Sequence, residues 1–215
     1  MSINQVAGEL TSKESLTVEI GKGEEKHLNR HKNYLSIDTE TGGLSSDKHD
    51  ILSIGYVVTD KDLCTIEKGE ILIKGRLRRT TADALAINKI DIKEHNKIAG
   101  TRKKAVKKLQ EVISRHWENN HPTLIGQNIP FDVKFLKVLF DSEGQDFTPD
   151  YTSIDLKILW QTLIALGRVN TADAKLDTIL DYLKMGTTGQ RHSALVDAEN
   201  VLEVLKAIRV YISVF

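Results

Sequence analysis

Residues 34–44 read YLSIDTETGGL, an apolar run that leads into two carboxylates one residue apart and ends at a pair of glycines. The run predicts a strand, and Gly42 and Gly43 predict the turn that follows it. Because strand side chains alternate between faces, Asp38 and Glu40 lie on the same face. Such carboxylates repel each other unless a cation lies between them, and hard divalent cations prefer oxygen ligands. The strand therefore predicts a metal site, although a D-x-E also arises by chance.

The residues around this strand predict a mixed α/β fold. Two further strands, in 51–59 and 64–75, follow it after short polar segments, so the first three strands are expected to be antiparallel. From Thr81 the pattern becomes helical. A fourth strand is predicted in 122–128, a short strand followed by a helix in 153–167, and further helices in 101–117, 130–144, 174–186 and 193–215. Helices and strands that alternate in this way predict a sheet flanked by helices.

Composition limits the classes of protein that fit. The chain has 215 residues with 30 basic and 30 acidic side chains, so no global basic field attracts nucleic acid. One cysteine excludes an internal disulfide framework and fits a reducing compartment. The first 30 residues contain no apolar signal region, and no stretch approaches membrane-spanning length. We expect a cytoplasmic protein with no membrane contact.

The charge distribution divides the chain into two parts. Residues 1–33 are predicted to be a polar N-terminal extension, and residues 34–215 the globular domain. His27 and His31 lie four residues apart, a spacing that could hold a metal ion on a helix. A solvated segment is the alternative for this stretch.

Two later motifs also place carboxylates near the start of a helix. In NIPFD, residues 128–132, Pro130 suits a first helical turn that includes Asp132. In HSALVD, residues 192–197, Ser193 can cap the last helix, which places His192 just before it and Asp197 one turn inside. Each motif also has a plain structural interpretation, namely a dipole-favoured aspartate near a helix start or a solvated loop.

In this order, the three motifs resemble the DEDD exonuclease superfamily, in its histidine-containing (DEDDh, DnaQ-like) branch. Ribonuclease T and the proofreading subunit of DNA polymerase III belong to this branch. The resemblance runs from about Tyr34 to Ile208 and implies a ribonuclease H-like fold. It also implies that two Mg²⁺ or Mn²⁺ ions are bound and that His192 is the general base. The implied metal ligands are Asp38, Glu40, Asp132 and Asp197.

The resemblance implies a metal-dependent 3′–5′ exonuclease that hydrolyses 3′-terminal phosphodiesters to nucleoside 5′-monophosphates. Elementary electrostatics agrees, because four carboxylates repel a phosphodiester until divalent ions neutralise them. An imidazole with an ordinary pKa of ~6.5 can accept a proton near neutral pH.

Substrate-binding residues are also carried over from the resemblance. Thr41 and Leu44 flank the glycine turn and are expected beside the terminal nucleotide; for Leu44, a plain turn with a core side chain is the alternative. Ile90, in NKID, stands where relatives often have an HGIT-like segment, but the His and Gly of that segment are missing. Asn128 matches the first position of the second motif and is expected to orient substrate or a ligand.

Several other polar groups have two interpretations. The basic segments RLRR, residues 76–79, and RKKAVKK, residues 102–108, either contact a nucleic-acid backbone or form solvated faces. Asp155 is interpreted as structural, and Cys64 as a small core residue in a strand. Aromatic residues make up only 6% of the chain, which favours a grip on a few terminal nucleotides over a long stacking platform.

The expected partner is the 3′ end of a single-stranded nucleic acid, with DNA slightly preferred. The alternatives are an RNA-trimming enzyme and a non-catalytic binding module of the same fold. The N-terminal extension or the apolar end VYISVF, residues 210–215, could dock a polymerase, another complex or a second copy of the chain.

Overall fold

The computed structural model of the protein describes residues 33–186 and 193–212. Its sheet has five strands, numbered in chain order: β1 (Asn33–Thr41), β2 (Ile51–Asp60), β3 (Thr65–Leu72), β4 (Leu124–Gly126) and β5 (Ser153–Asp155). Their order across the sheet is β3-β2-β1-β4-β5. The first three strands pair antiparallel, and β4 and β5 run parallel to β1. The prediction of three antiparallel strands followed by alternating helices and strands is therefore confirmed.

Seven helices occur in the described part of the chain, and polar side chains cap several of them. Thr81, Asp91, Thr101 and Asp155 each accept a hydrogen bond from a backbone N–H in the first turn that follows, which satisfies donors that a helix start leaves free. The helices are α1 (Ala82–Asn88), α2 (Ile92–Ile98), α3 (Arg102–His116), α4 (Ile129–Asp141), α5 (Leu156–Ala165), α6 (Leu176–Leu183) and α7 (Ala194–Ile212).

The sheet separates two apolar clusters. On one face, Leu35 and Ile37 pack with Leu109 of α3 and Leu136 of α4. On the other face, the cluster contains Trp160 of α5 and residues of α6 and α7. Odd-numbered β1 residues thus face α3 and α4, so the intervening Ser36 and Asp38 face the α7 side, as the alternation of a strand requires.

Helix α7 lies unusually close to the strands at two points. Ser36, which is fully buried, donates a hydrogen bond from its hydroxyl to the carbonyl of Ala198 at 2.8 Å. Gly55 of β2 faces the backbone of Ala194 and Leu195, where a β-carbon would overlap both residues. Small side chains at these two positions therefore let the start of α7 rest directly on the sheet.

The prediction that Cys64 is a core residue is wrong. Cys64 is exposed and precedes β3, which begins at Thr65. The turn before β3 explains this difference, because the Asp60 carboxylate accepts hydrogen bonds from the backbone N–H groups of Asp62 and Cys64. Leu63, between them, adopts a left-handed conformation and is the residue that is buried.

Within residues 33–186 and 193–212, no helix combines the length and the apolar character that a membrane span requires.

Candidate functional site

Three carboxylates from distant parts of the chain converge at the end of β1. Asp38 and Glu40 of β1 and Asp197 of α7 each place an oxygen within 4.8 Å of the other two. Asp197 belongs to the first turn of α7, and its N–H donates to the carbonyl of Ser193 at 2.9 Å. The close packing of α7 on Ser36 brings Asp197 to the strand. We call these three residues the acidic cluster.

Asp132 approaches from the opposite face of the sheet. It lies in the first turn of α4 and is only 2% exposed. The hydroxyl of Thr39 donates to its carboxylate at 2.7 Å, which fixes the side chain at the edge of β1. Burial nevertheless raises the pKa of Asp132 to about 7. Its charge also acts on Asp38, so Asp132 is electrostatically part of the site although it lies outside the acidic cluster.

Burial and mutual repulsion raise the pKa values of the other carboxylates. The pKa of Asp38 lies well above its ordinary value, first because burial disfavours the charged form and then because Asp132, Asp197 and Glu40 repel it. The pKa of Glu40 rises to about 7, mainly through burial and the charge of Asp197. Neither Asp38 nor Glu40 forms an ion pair with a lysine or arginine of the described residues. A site built in this way gains stability from an added positive charge.

The donor chemistry of the site fits a divalent metal ion. Asp38, Glu40 and Asp197 supply carboxylate oxygens, which are the type of ligand that Mg²⁺ and Mn²⁺ prefer. Oxygens that lie within 4.8 Å of one another can contact the same cation. Asp38, Glu40 and Asp197 would hold it, with Asp132 as the fourth carboxylate.

The elevated pKa values predict how pH affects the stability of the metal-free protein. Because the folded-state pKa of Glu40 is about 7 against an ordinary 4.5, protonation favours the folded state. This stabilisation is complete below pH ~4 and is lost as pH rises through ~7, by ~3 kcal/mol for Glu40 alone. Urea unfolding in EDTA between pH 5 and 8 should therefore show falling stability. The slope should be shallower in Glu40→Gln and unchanged in a control variant at the exposed Asp146, Asp146→Asn.

The predicted substrate-binding residues Thr41, Leu44 and Ile90 lie around the turn that follows the acidic cluster. Leu44 is 87% exposed, so the alternative of a core side chain is wrong. The Thr41 hydroxyl donates to the carbonyl of Gly43 at 2.8 Å and shapes the turn. Buried Asn88 links Thr41 and Ile90, because it donates to the carbonyl of Thr41 and accepts from the N–H of Ile90. Direct contact of Thr41, Leu44 and Ile90 with a substrate stays a prediction.

Asn128 and Asp155 form one structural unit. Asn128 adopts a left-handed conformation with φ of 65°, which asparagine tolerates better than most residues. Asp155 accepts hydrogen bonds from the N–H groups of Asn128 and Ile129, both at 3.0 Å, and also caps α5. This pairing accounts for Asp155 as a structural residue. The side chain of Asn128 accepts from Lys157 and lines a cleft of about 580 Å³ beside α5, where its role toward a substrate stays a prediction.

Some predictions fall outside the described residues. His192, the predicted general base, lies outside them, as do His27 and His31. Residue 33 is the first that the structure describes, so the boundary of the polar extension at this residue stays a prediction. Of the apolar end, Val210 is 59% exposed within α7, and residues 213–215 lie outside the described part.

Four residues near the site escaped the sequence analysis. Thr39 and Asn88 carry no local signal, because their partners Asp132 and Thr41 are distant in sequence. Glu70 of β3 raises the pKa of Glu40, and it became a neighbour only through the β2–β3 register. Asp50 precedes β2 and is almost fully buried. The signal that the sequence offered for Asp50 is its position directly before an apolar strand.

Comparison with solved structures identifies the fold. One match is a product-bound exonuclease I, with a TM-score of 0.72 at 15% identity over 84% of this chain. Another is E. coli exonuclease I in complex with a dT13 oligonucleotide, with a TM-score of 0.71 at 16% identity over the same share. This chain corresponds to only 44% and 41% of those chains. The likeness defines the ribonuclease H-like fold of exonucleases, as predicted.

The sequence profile of the exonuclease family of ribonuclease T matches residues 35–205. The chain therefore belongs to this exonuclease family, within the DEDD superfamily. Among curated protein sequences, the comparison found no match. The fold, the family and the acidic cluster together describe a nuclease-type site suited to divalent metal.

Proposed function

We propose that the protein is a two-metal 3′–5′ exonuclease of the histidine-containing branch. It removes nucleoside 5′-monophosphates from the 3′ ends of single-stranded nucleic acid, with DNA preferred. The observation that carries this proposal is the convergence of Asp38, Glu40 and Asp197 within 4.8 Å in a chain of the exonuclease family. Burial and repulsion raise the pKa values of Asp38 and Glu40, and divalent ions would supply the positive charge that favours their ionised forms.

Each side chain has a separate task in the proposed reaction. Asp38, Glu40 and Asp197 hold Mg²⁺ or Mn²⁺, and Asp132, oriented by Thr39, completes the set. When bound, such ions neutralise the phosphodiester and lower the pKa of a coordinated water. His192 accepts the proton of the attacking water, for which an imidazole is suited near neutral pH.

The substrate class is supported by the exonuclease I structures. These include complexes of that enzyme with dT13 and dA16 oligonucleotides. Because this chain spans less than half of those proteins, their substrate is carried over only as a proposal. On the protein side, Leu44 in the turn that follows Glu40 is exposed, so its side chain is accessible to the end of a nucleic-acid strand.

Digestion of end-labelled strands tests the function. The wild type, His192→Ala and Asp38→Ala receive 3′-labelled and 5′-labelled single-stranded DNA and RNA with Mg²⁺, Mn²⁺ or EDTA. We expect metal-dependent release of labelled mononucleotide from the 3′ end, lost in both variants, with DNA degraded faster than RNA. Faster RNA degradation would identify the RNA-trimming alternative. Folded, metal-loaded protein that cleaves none of these substrates would contradict the proposal and favour a binding module.

A further inference from the structure

Two basic segments that lie apart in the sequence meet on one buried carboxylate. Asp50, whose side chain is 1% exposed, pairs with Arg76, Arg79 and Arg102. Arg76 binds it through two nitrogens, with Nε 3.0 Å from Oδ2 and Nη2 2.7 Å from Oδ1. One carboxylate balances one guanidinium, so the assembly retains a positive charge. Its side chains remain partly accessible, and that of Arg76 is 46% exposed.

Three further cations lie beside these arginines in the sequence. Arg78, Lys103 and Lys104 are exposed, and the described residues provide no carboxylate partner for them. The first turn of α3 contains no acidic residue, so the positive end of its dipole adds to the same field. Asp47, on the adjoining turn between β1 and β2, is exposed, and its backbone carbonyl accepts a hydrogen bond from Arg79. We call the following set the basic patch: Arg76, Arg78, Arg79, Arg102, Lys103 and Lys104.

The basic patch is tied to the turn that follows the acidic cluster. The carbonyl of Asp50 accepts from the N–H of Gly42 at 2.7 Å, and its N–H donates to the carbonyl of Arg79 at 3.0 Å. Gly42 lies two residues after Glu40, a distance of ~7 Å in an extended strand. A nucleic-acid strand whose end reaches the acidic cluster can therefore place its next phosphates near the basic patch.

We propose that the basic patch binds consecutive backbone phosphates of the single-stranded nucleic acid whose end enters the acidic cluster. The inference rests on the proposed function for the direction of the strand. A chain with zero net charge and an acidic site lacks long-range attraction for a polyanion, so local cations must supply it. Asp50 holds the guanidinium groups of Arg76, Arg79 and Arg102 in place, which reduces the entropy that these side chains lose when they bind phosphate. The opposing interpretation is that the arginines only anchor the turn.

A binding experiment separates these two interpretations. Arg78→Gln/Lys103→Gln/Lys104→Gln removes three cations that do not contact Asp50, so the anchored turn is left intact. The matched control, Lys61→Gln/Lys137→Gln/Lys206→Gln, makes the same change of charge. Lys61 lies in the β2–β3 turn, and the other two lie well along α4 and α7. Binding of 5′-fluorescein-labelled dT12 is measured by anisotropy in EDTA, from ~50 to ~300 mM salt, a range over which phosphate contacts change affinity strongly.

We expect the patch variant to bind about ten-fold more weakly at ~0.1 M salt. The slope of log K against log salt should become shallower by up to ~2. The control should match the wild type, and all three proteins should share one melting temperature. Equal affinities and slopes in the two variants, or a wild type that does not bind the strand, would overturn the inference. If the patch variant loses binding while end-labelled strands stay intact with the wild type, the phosphate site stands and the proposed function fails.

Discussion

Asp38→Asn should reduce metal-dependent hydrolysis on the order of 10³-fold or more. The substitution removes the carboxylate whose pKa is raised by burial and by the charges of Asp132, Asp197 and Glu40. Losing one ligand weakens charge neutralisation at the phosphodiester, which contributes several kcal/mol in metal-dependent sites. Initial rates of mononucleotide release at saturating Mn²⁺ measure the loss. Asp146→Asn, at an exposed position far along the chain, should retain wild-type rates.

The same variant should become more stable when metal is absent. Replacing a half-buried, repelled carboxylate with a neutral amide of similar shape removes a desolvation cost and a repulsion. Melting in EDTA at pH 8 should therefore occur at a higher temperature for Asp38→Asn than for the wild type. A variant that lost activity through misfolding would melt lower instead, and that result would contradict the assignment of Asp38 as a ligand.

Gly55→Ala should impair both stability and activity. The new β-carbon would overlap the carbonyl group of Ala194 and the amide nitrogen of Leu195, and backbone cannot move aside as a side chain can. Overpacking of this kind costs typically 1–3 kcal/mol. Displacement of α7 would also shift Asp197, and a shift of ~1 Å in a catalytic group lowers rates by about 10²-fold. Urea unfolding and the release assay measure the two effects.

Gly100→Ala is the matched control for Gly55→Ala. A β-carbon at Gly100 would have its nearest neighbours at 3.7 and 3.8 Å, which is ordinary contact. We expect wild-type stability and rates for this variant. Near-normal activity in Gly55→Ala would show that the first turn of α7 tolerates displacement, and that the position of Asp197 is less critical than proposed.

The elements of the fold followed from local patterns. The strand that ends in Asp38 and Glu40 was predictable because apolar runs, glycine turns and helical periodicity are encoded over a few residues. The alternation of a strand also placed these two carboxylates on one face. Asp197 could be assigned as a partner only through the resemblance, since its approach depends on Ser36 of β1 and Gly55 of β2.

Contacts between distant segments were not predictable from local patterns. RLRR and RKKAVKK each looked like an independent charge run, because their shared partner Asp50 lies more than 25 residues before the first of them in sequence and is buried only in the fold. Asn88 contacts both Thr41, which lies 47 residues before it, and Ile90, which lies two residues after it. Such contacts arise from tertiary packing, which the hydrophobic periodicity of a sequence does not predict.

The proposed function requires that the acidic cluster bind the divalent ions of a nuclease. Titration of the wild type and Asp38→Asn with Mn²⁺, followed by electron paramagnetic resonance of the free ion, measures this binding. We expect two bound ions per wild-type chain and a loss of at least one in the variant. Folded wild-type protein that binds no Mn²⁺ at millimolar concentration, or a variant that binds as many ions as the wild type, would contradict it.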